Sequence, residues 1–477
     1  RAAAWVVSTG TCPSLLNKEH AEECKLRVPF VALMPRHAPG AGQSSTKSKC
    51  PEAWWVGDGN HRLCNNASIT YGHPSKSYVD PQLAYGKLVR SQRASCTPRV
   101  KLALVRMSTF GIANDLNNAV KSLHMAQFRD SQLILLPPDR AELAKVNLST
   151  ADVARPWHWL PDRPVSDILS LSACHKYLLK HNRTWLQKVA DQGPTAELQA
   201  AVPFNVRVLG FKWRIGAFLS QIPVEFRAQG LLWWWSVLST YLVRPRGKLA
   251  AQVAYAIGQH PSLGSVAPSP ESLLDFRNSS APYLFDLGLH VRMGDACGPN
   301  AAPQAGRRCI TTLRQALLRA RSSTTTRRCS TGQRRGAATA QRCSDAAHSL
   351  RADSIVYLAS DSDSIVHDVG SLNGAPDLPA MRVYHLDINR SKYDSRTRIE
   401  ERNHSGTRRM QILTETLLEV AFLSRAQRLA GAMLGNLPRL AMQLRVRSQY
   451  DYVSLDGRAW CTKTACKMDS YEKYGNI

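Results

Sequence analysis

From residue 100 onward the sequence alternates short apolar runs with amphipathic stretches, and this alternation limits the fold more than any other feature. VKLALVRM is a strand-length apolar run, STFGIAND a turn holding Gly111 and Asn114, LNNAVKSLHMAQFR has helical spacing, and SQLILLP is a second strand. A second series opens at 284 with the strand LFDLGLHVRM and the helix CITTLRQALLRAR. DSIVYLAS and MRVYHLD follow as strands, RRMQILTETLLEVAFLSRA as a long helix, and RLAGAM, NLPRLAMQLRV and YDYVSLD as strand, helix and strand. Strands that are apolar throughout are buried on both faces, and helices between them force a parallel sheet. The expectation is an α/β protein with two Rossmann-like domains, over 97–275 and 276–477, whose ligands bind at the carboxyl ends of the strands.

The remaining segments are read as accessories. Residues 150–200 are mainly helical, with PDRPVSDILSL as an extended lead-in, and GLLWWWSVLSTYLVRPRGKLAAQVAYAI reads as two helices meeting at Pro245. PSLGSVAPSPES is expected to be a linker. Residues 1–96 hold five of the twelve cysteines, are rich in Pro, Gly and Ser, and show little periodicity, so they are read as a disulfide-tied, loop-like region. A length of 477 residues is too great for one ordinary core and fits this division.

The cysteines are even in number and none forms a C-x-x-C pair, which favours disulfides over zinc. Six of the 17 asparagines open N-x-S/T sequons: Asn66, Asn147, Asn182, Asn278, Asn389 and Asn403. Both features fit an oxidising, glycosylating compartment better than a cytosolic protein with unused sequons and free thiols. The most apolar stretch, FLSQIPVEFRAQGLLWWWSVLSTYLV, is broken by Glu225 and Arg227, so no membrane span is expected. The first residue is Arg, and any leader or anchor is expected upstream of it.

A net charge of +26 raises nucleic acid as a partner, but its distribution argues otherwise. Residues 305–342 hold ten arginines and no acid in an Ala, Ser and Thr background, and 321–347 is read as a solvated basic insertion. No RRM, KH, zinc-finger or helix-turn-helix signature is present, so the charge is expected to attract a nucleotide diphosphate or anionic glycans.

Four strand or helix ends carry candidate chemistry. GLHVRMGDACG delivers His290, Arg292 and Asp295 to the edge of the sheet. The forked guanidinium of Arg292 suits a diphosphate and would stabilise charge on a leaving phosphate; alternatively it pairs with Asp295. YLASDSDS ends on Ser360 and Asp361, where Asp361 either faces a ligand or caps the next helix. Glu419 sits among apolar neighbours on the long helix, either facing a guanine edge or lying on the surface paired with an arginine. Gly435 and Asn436 form a strand-to-helix turn whose backbone N–H groups suit phosphate.

Motifs for zinc proteases, serine hydrolases, P-loops and dinucleotide binding are absent from the sequence. Taken in order, WWWSVLSTYLVRP, HVRMGD, YLASD and LLEVAFLSRA resemble the α1,6-fucosyltransferase family and its bacterial nodulation relatives, over about residues 100–460. The resemblance implies a GT-B-like pair of domains, acceptor side first and donor side second, a GDP-fucose donor, inversion at the sugar carbon and no required metal. It implies that Arg292 holds the β-phosphate, that His290 and Glu419 hold the guanosine end, and that Asp295, Asp361, Gly435 and Asn436 lie at the donor site. It also implies a glycan or glycoprotein acceptor and a Golgi lumen setting, or an extracellular one if the chain is a structural paralogue or part of an assembly. The family's second Arg is Met293 here, its Lys is Ala296 and its expected acid is Asn300, while Leu434 and Gly435 replace the serines of its phosphate turn. A catalytic base is sought in Asp295, or in Glu400 or Glu401. Disulfides are expected for Cys297 with Cys309, which bracket an 11-residue loop poor in apolar anchors, the alternative being Cys309 with Cys329 or Cys343, and at Cys461 and Cys466.

Overall fold

A computed structural model of the chain describes residues 79–107, 111–138, 165–193, 195–208, 221–260, 263, 269–278, 282–293, 310–325, 350–372, 375–390, 406–433, 435–445 and 452–456. The first helix, α1 (Pro81–Arg93), lies in the stretch whose composition suggests loop. It forms because Asp80 accepts from the Gln82 N–H at 2.9 Å and Pro81 fits the first helical turn. Its buried face, Ala84, Tyr85 and Leu88, joins the main core. Beyond it, a Cys96–Cys174 disulfide ties this region to the third helix.

The first sheet is built from β1 (Lys101–Arg106), β2 (Gln132–Leu136) and β3 (Asn205–Val208), all parallel, in the order β2-β1-β3. Between β1 and β2 runs α2 (Ile112–Phe128). Three short helices, α3 (Ala173–His181), α4 (Arg183–Gln192) and α5 (Ala196–Ala200), lead to β3. They cover one face of the sheet through Leu178, Trp185, Leu186 and Val189.

The Trp-rich segment is the helix α6 (Gly230–Leu242), and Pro245 separates it from α7 (Gly247–Gly258) as the sequence predicts. Trp234 donates its indole N–H to His124 Nδ1 at 3.0 Å, and His124 Nε2 meets Gln221 Oε1 at 3.1 Å. An amide oxygen only accepts, so Nε2 carries the proton and α2 is held against α6 by a fixed tautomer. Burial keeps this imidazole neutral, with its pKa lowered to about 4. A short helix, α8 (Pro270–Leu274), precedes the second sheet.

That sheet has five parallel strands, β4 (Phe285–Val291), β5 (Ser354–Ser360), β6 (Met381–His385), β7 (Ala426–Gly431) and β8 (Tyr452–Ser454), in the order β6-β5-β4-β7-β8. One face packs on α9 (Leu313–Thr325) and α10 (Asp363–Ser371) through Leu287, Leu289, Val356 and Leu358. The other packs on α11 (Gly406–Ser424) and α12 (Asn436–Gln443). A single apolar core runs from Leu116 and Val120 of α2, through Trp234 and Leu238 of α6, to Leu417, Phe422 and Leu440 beside the second sheet. The parallel α/β character read from the sequence is therefore present in both sheets.

Candidate functional site

Along β4 the side chains alternate faces. Leu287 and Leu289 enter the α9 side, so Gly288, His290 and Arg292 point towards α11 and α12. Glycine at 288 is demanded by proximity, since an added Cβ would lie 3.0 Å from the Ala426 Cβ and 3.2 Å from a Leu423 methyl. At the end of β7 the same demand is stronger: a Cβ on Gly431 would lie 2.8 Å from Pro438 and 3.5 Å from the His290 Cβ. The missing side chain lets the first turn of α12 settle directly over the strand beside His290.

The turn itself closes by a bond from the Gly435 N–H to the Ala432 carbonyl at 2.9 Å. Asp456, just past β8, accepts from the Met433 N–H at 3.0 Å and from Ser454 Oγ at 2.9 Å, bracing the turn from below. Gly435 caps α12 with no side-chain hydrogen bond, and a Cβ placed there would stand 3.7 Å from Arg292 Nη1. The guanidinium therefore lies against the turn that opens α12.

A second helix N-terminus meets this one. Gly111 caps α2, also without a side-chain bond, and the helix's first polar side chains reach across to α12. Asn436 Nδ2 donates to Asn114 Oδ1 at 3.2 Å, and Asn117 Nδ2 donates to the Asn436 carbonyl at 3.1 Å. Two uncapped helix starts and one arginine thus converge at the carboxyl edges of both sheets, where partial positive charge accumulates. Two buried polar atoms beside them, Asn117 Oδ1 and His290 Nδ1, have no hydrogen-bond partner. Buried polar atoms in folded proteins are generally paired, and these two are among the exceptions in the described residues. Burial first, and then Arg292, lowers the His290 pKa to about 3, so the ring is neutral in use.

Asp361 is not the cap of the next helix. The helix that follows is capped by Ser362, and Asp361 Oδ1 instead accepts from the Met293 backbone N–H at 2.7 Å. It therefore fixes the chain immediately after Arg292. Ser360 holds the next link, its Oγ accepting from the Ser362 N–H at 3.2 Å and its carbonyl from buried Arg390 at 3.1 Å.

Of the residues singled out in the sequence, His290, Arg292, Gly435, Asn436, Gly111 and Asn114 come together here, with Ser360 and Asp361 one strand away. Glu419 is partly buried on the fourth turn of α11, where, after burial itself, its charge raises the pKa of the buried Tyr357 hydroxyl. Asp295, Cys297, Cys309, Glu400, Glu401, Cys461, Cys466, Asn66, Asn147 and Asn403 lie outside the described residues. Asn278 and Asn389 are exposed and Asn182 is partly exposed at the junction of α3 and α4. Among the described residues no group of three His, Cys, Asp or Glu could hold a metal ion, and no helix is long and apolar enough to cross a membrane. Asn117 and Asp456 escape a sequence reading; Asn117 could have been found three residues after Asn114, on the same face of α2.

No family model matches the sequence, and no curated protein does. Solved structures similar to it include fucosyltransferases. A NodZ alpha-1,6-fucosyltransferase soaked with GDP-fucose is 14% identical, over 72% of this chain and 92% of that one, with a TM-score of 0.31. Arabidopsis thaliana FUT1, in mutant form with GDP, is 11% identical over 80% of this chain and 76% of that one, at 0.36. NodZ from Bradyrhizobium is 11% identical over 72% and 91%, at 0.33. Scores of this size leave the functional reading to the residues themselves.

Proposed function

We propose that this chain is an inverting, GDP-fucose-dependent fucosyltransferase acting on a glycan or glycoprotein in the lumen of the secretory pathway. The observation that carries the reading is the seating of Arg292 against the Gly435–Asn436 turn, opposite the start of α2. A diphosphate in this corner would meet a forked cation and the positive end of α12 together. Neutral His290, with Nδ1 unpartnered, is suited to a nucleoside's polar edge beside that diphosphate.

In the transfer, an acceptor hydroxyl oxygen forms a bond to the fucose anomeric carbon as the bond from that carbon to the β-phosphate oxygen breaks. GDP leaves with the electron pair, and Arg292 stabilises its growing charge. The hydroxyl proton passes to a carboxylate, for which Asp295 is our candidate and Glu400 or Glu401 the alternatives. Displacement from the opposite face inverts the centre. Calorimetry tests the nucleotide assignment: GDP is expected to bind in preference to UDP, with the preference shrinking in Glu419→Ala. Equal affinity for both nucleotides rejects the guanine reading.

A second reading has one observation behind it. Where the resembled family has a second arginine, this chain has Met293, used through its backbone to meet Asp361. A glycan-binding or structural protein that keeps the donor corner and has lost turnover would look the same there. Transfer of fucose to a mixed panel of glycoprotein acceptors, abolished by Arg292→Ala, removes this reading; GDP binding without any turnover establishes it.

A further inference from the structure

Four arginines gather at the opposite edge of the second sheet. Arg277 precedes β4, and its guanidinium lies 5.1 Å from the centre of the Tyr85 ring and 5.2 Å from that of Tyr241. It donates to the Thr240 and Tyr241 carbonyls at the end of α6, at 3.4 and 3.3 Å. Arg244 and Arg246 flank Pro245 directly after that helix end and are pinned by backbone bonds to the Ile168 and Asp167 carbonyls, both at 2.7 Å. Arg93 closes α1, whose Tyr85 hydroxyl is bonded to Thr240 Oγ1 at 2.5 Å. All four act electrostatically on the Tyr241 and Arg246 neighbourhood.

Helix ends explain only part of this charge. Each helix C-terminus carries about half a negative charge, so the ends of α1 and α6 offset roughly one of the four cations. Among the described residues no ion pair includes Arg93, Arg244, Arg246 or Arg277, and the acid that acts on the group is Asp167, which faces Arg246. Arg246 and Arg277 are held below the usual guanidinium range, first by burial and then by Arg244, with Arg93 adding to it. Arg93 and Arg246 are exposed and Arg244 and Arg277 partly so, which leaves the group open to solvent. A cluster of like charges only partly compensated among the described residues is a local conflict that folding alone does not explain.

The cluster is also remote from the donor corner. The Arg425 carbonyl, just before β7, accepts from the Leu284 N–H at 2.8 Å and the Arg425 side chain reaches the Asn278 carbonyl, so Arg277, Asn278 and Leu284 lie at the amino ends of the strands. β4 then runs seven residues, about 20 Å, before the chain arrives at Arg292. The four cations come from three chain segments grouped around one tyrosine, a compact arrangement that matches a single doubly charged oxyanion better than the repeating charge of a polymer.

We propose that Arg93, Arg244, Arg246 and Arg277 form a second anion site, for a phosphate monoester, separate from the nucleotide corner. Calorimetry on the full chain with phenyl phosphate and phenyl sulfate at pH 8 tests it. An Arg292→Ala background excludes phosphate binding through that arginine. In that background phenyl phosphate is expected to bind, and more tightly than the singly charged sulfate ester. Adding Arg244→Ser and Arg246→Ser should weaken it about tenfold or more, and adding the exposed Arg93→Ser alone about threefold. Circular dichroism confirms that each variant is folded, and Arg93→Ser keeps the test open if the double change unfolds the chain. Absence of binding in the Arg292→Ala chain, affinity indifferent to Arg93, Arg244 and Arg246, or tighter binding of the sulfate overturns the proposal. None of these outcomes depends on whether GDP binds.

Discussion

The two strand–turn–helix units that meet at the candidate site, β1 to α2 and β7 to α12, begin alike and are finished differently. Both helices have a glycine cap in extended conformation with negative φ and no side-chain bond to the first turn. In α2 the first turn carries the buried carboxylate of Asp115, which offsets the positive end of its own helix; α12 has no acid there. The α2 turn uses Asn114 and Asn117 to hold its neighbour, whereas the α12 turn has Arg292 laid against it. One unit is finished as a docking surface and the other as the anion site we propose, although a strand, a glycine and a helix are common to both.

Acid should have the largest effect and does not respect the comparison, because buried neutral histidines sit in α2, in α3 and beside α12. His124 on α2 has its pKa lowered to about 4 by burial, and His175 on α3 to about 3 by the same cause; His290 at the site is also lowered to about 3. Each is neutral in the folded chain at pH values where the unfolded chain would protonate it. Stability is therefore complete above about pH 6.5 and falls as pH drops through that value towards the folded pKa. By pH 5 each group costs roughly 2 kcal/mol, about 6 kcal/mol for the three. Denaturant unfolding at pH 7.5, 6 and 5 should show this loss, with two-thirds of it removed in a His124→Gln, His175→Gln chain. A flat profile over that range means that these imidazoles are not buried neutral.

Arg292→Ala should come next in size and strike only the α12 side. Loss of charge-assisted bonds to a phosphate costs about 2–3 kcal/mol, or roughly two orders of magnitude in GDP affinity. The thermal midpoint should move little by comparison, because Arg292 is only partly buried. Comparable affinities for GDP in the variant and the parent chain would place the diphosphate elsewhere.

Gly431→Ala tests how the turn is held. The added methyl would sit 2.8 Å from Pro438, so the start of α12 must shift away from β7 and His290. Overpacking of this kind costs about 1–3 kcal/mol and should lower the unfolding midpoint and weaken GDP together, by about tenfold. Retention of both would show that α12 can move without consequence.

The strands of both sheets were legible in the sequence because a parallel strand buried on two faces is written as an unbroken apolar run, as in SIVYLAS and QLILL. β3 was missed because Asn205 and Arg207 interrupt a strand of only four residues. α1 was missed because its cap, Asp80 and Pro81, follows a long Cys-, Pro- and Gly-rich stretch that reads as loop. At the site, Arg292 and the Gly435 turn were legible, since each sits where a strand ends. The bracing residues were not. Asp361 resembles a helix cap until β4 is seen beside it, and Asp456 and Asn117 act on segments about 20 and 320 residues away. The Cys96–Cys174 pairing and the four-arginine cluster are invisible for the same reason, because both are made by distant segments.

The smallest expected effect belongs to Gly435→Ala, and it sharpens the comparison most finely. With φ at −72° and ψ at 145°, alanine can adopt this backbone without strain, so any effect must come from the space around the new methyl. That methyl would lie 3.3 Å from the Ala432 carbonyl and from Pro438 Cδ, contacts that need a shift of only a few tenths of an ångström. Exchanging a glycine cap for alanine should cost under about 1 kcal/mol, so the unfolding midpoint should move little. Arg292 Nη1, at 3.7 Å, would be in ordinary contact with the methyl, which therefore fills the space between the turn and the guanidinium. GDP affinity should fall about threefold, a fraction of the Arg292→Ala loss, because the approach to the guanidinium is narrowed while its charge is kept. Calorimetry on Gly435→Ala and on the double variant with Arg292→Ala decides the point. If the second substitution still lowers affinity threefold once the arginine is gone, the methyl acts on the helix start itself; if it then has no effect, the turn works through Arg292.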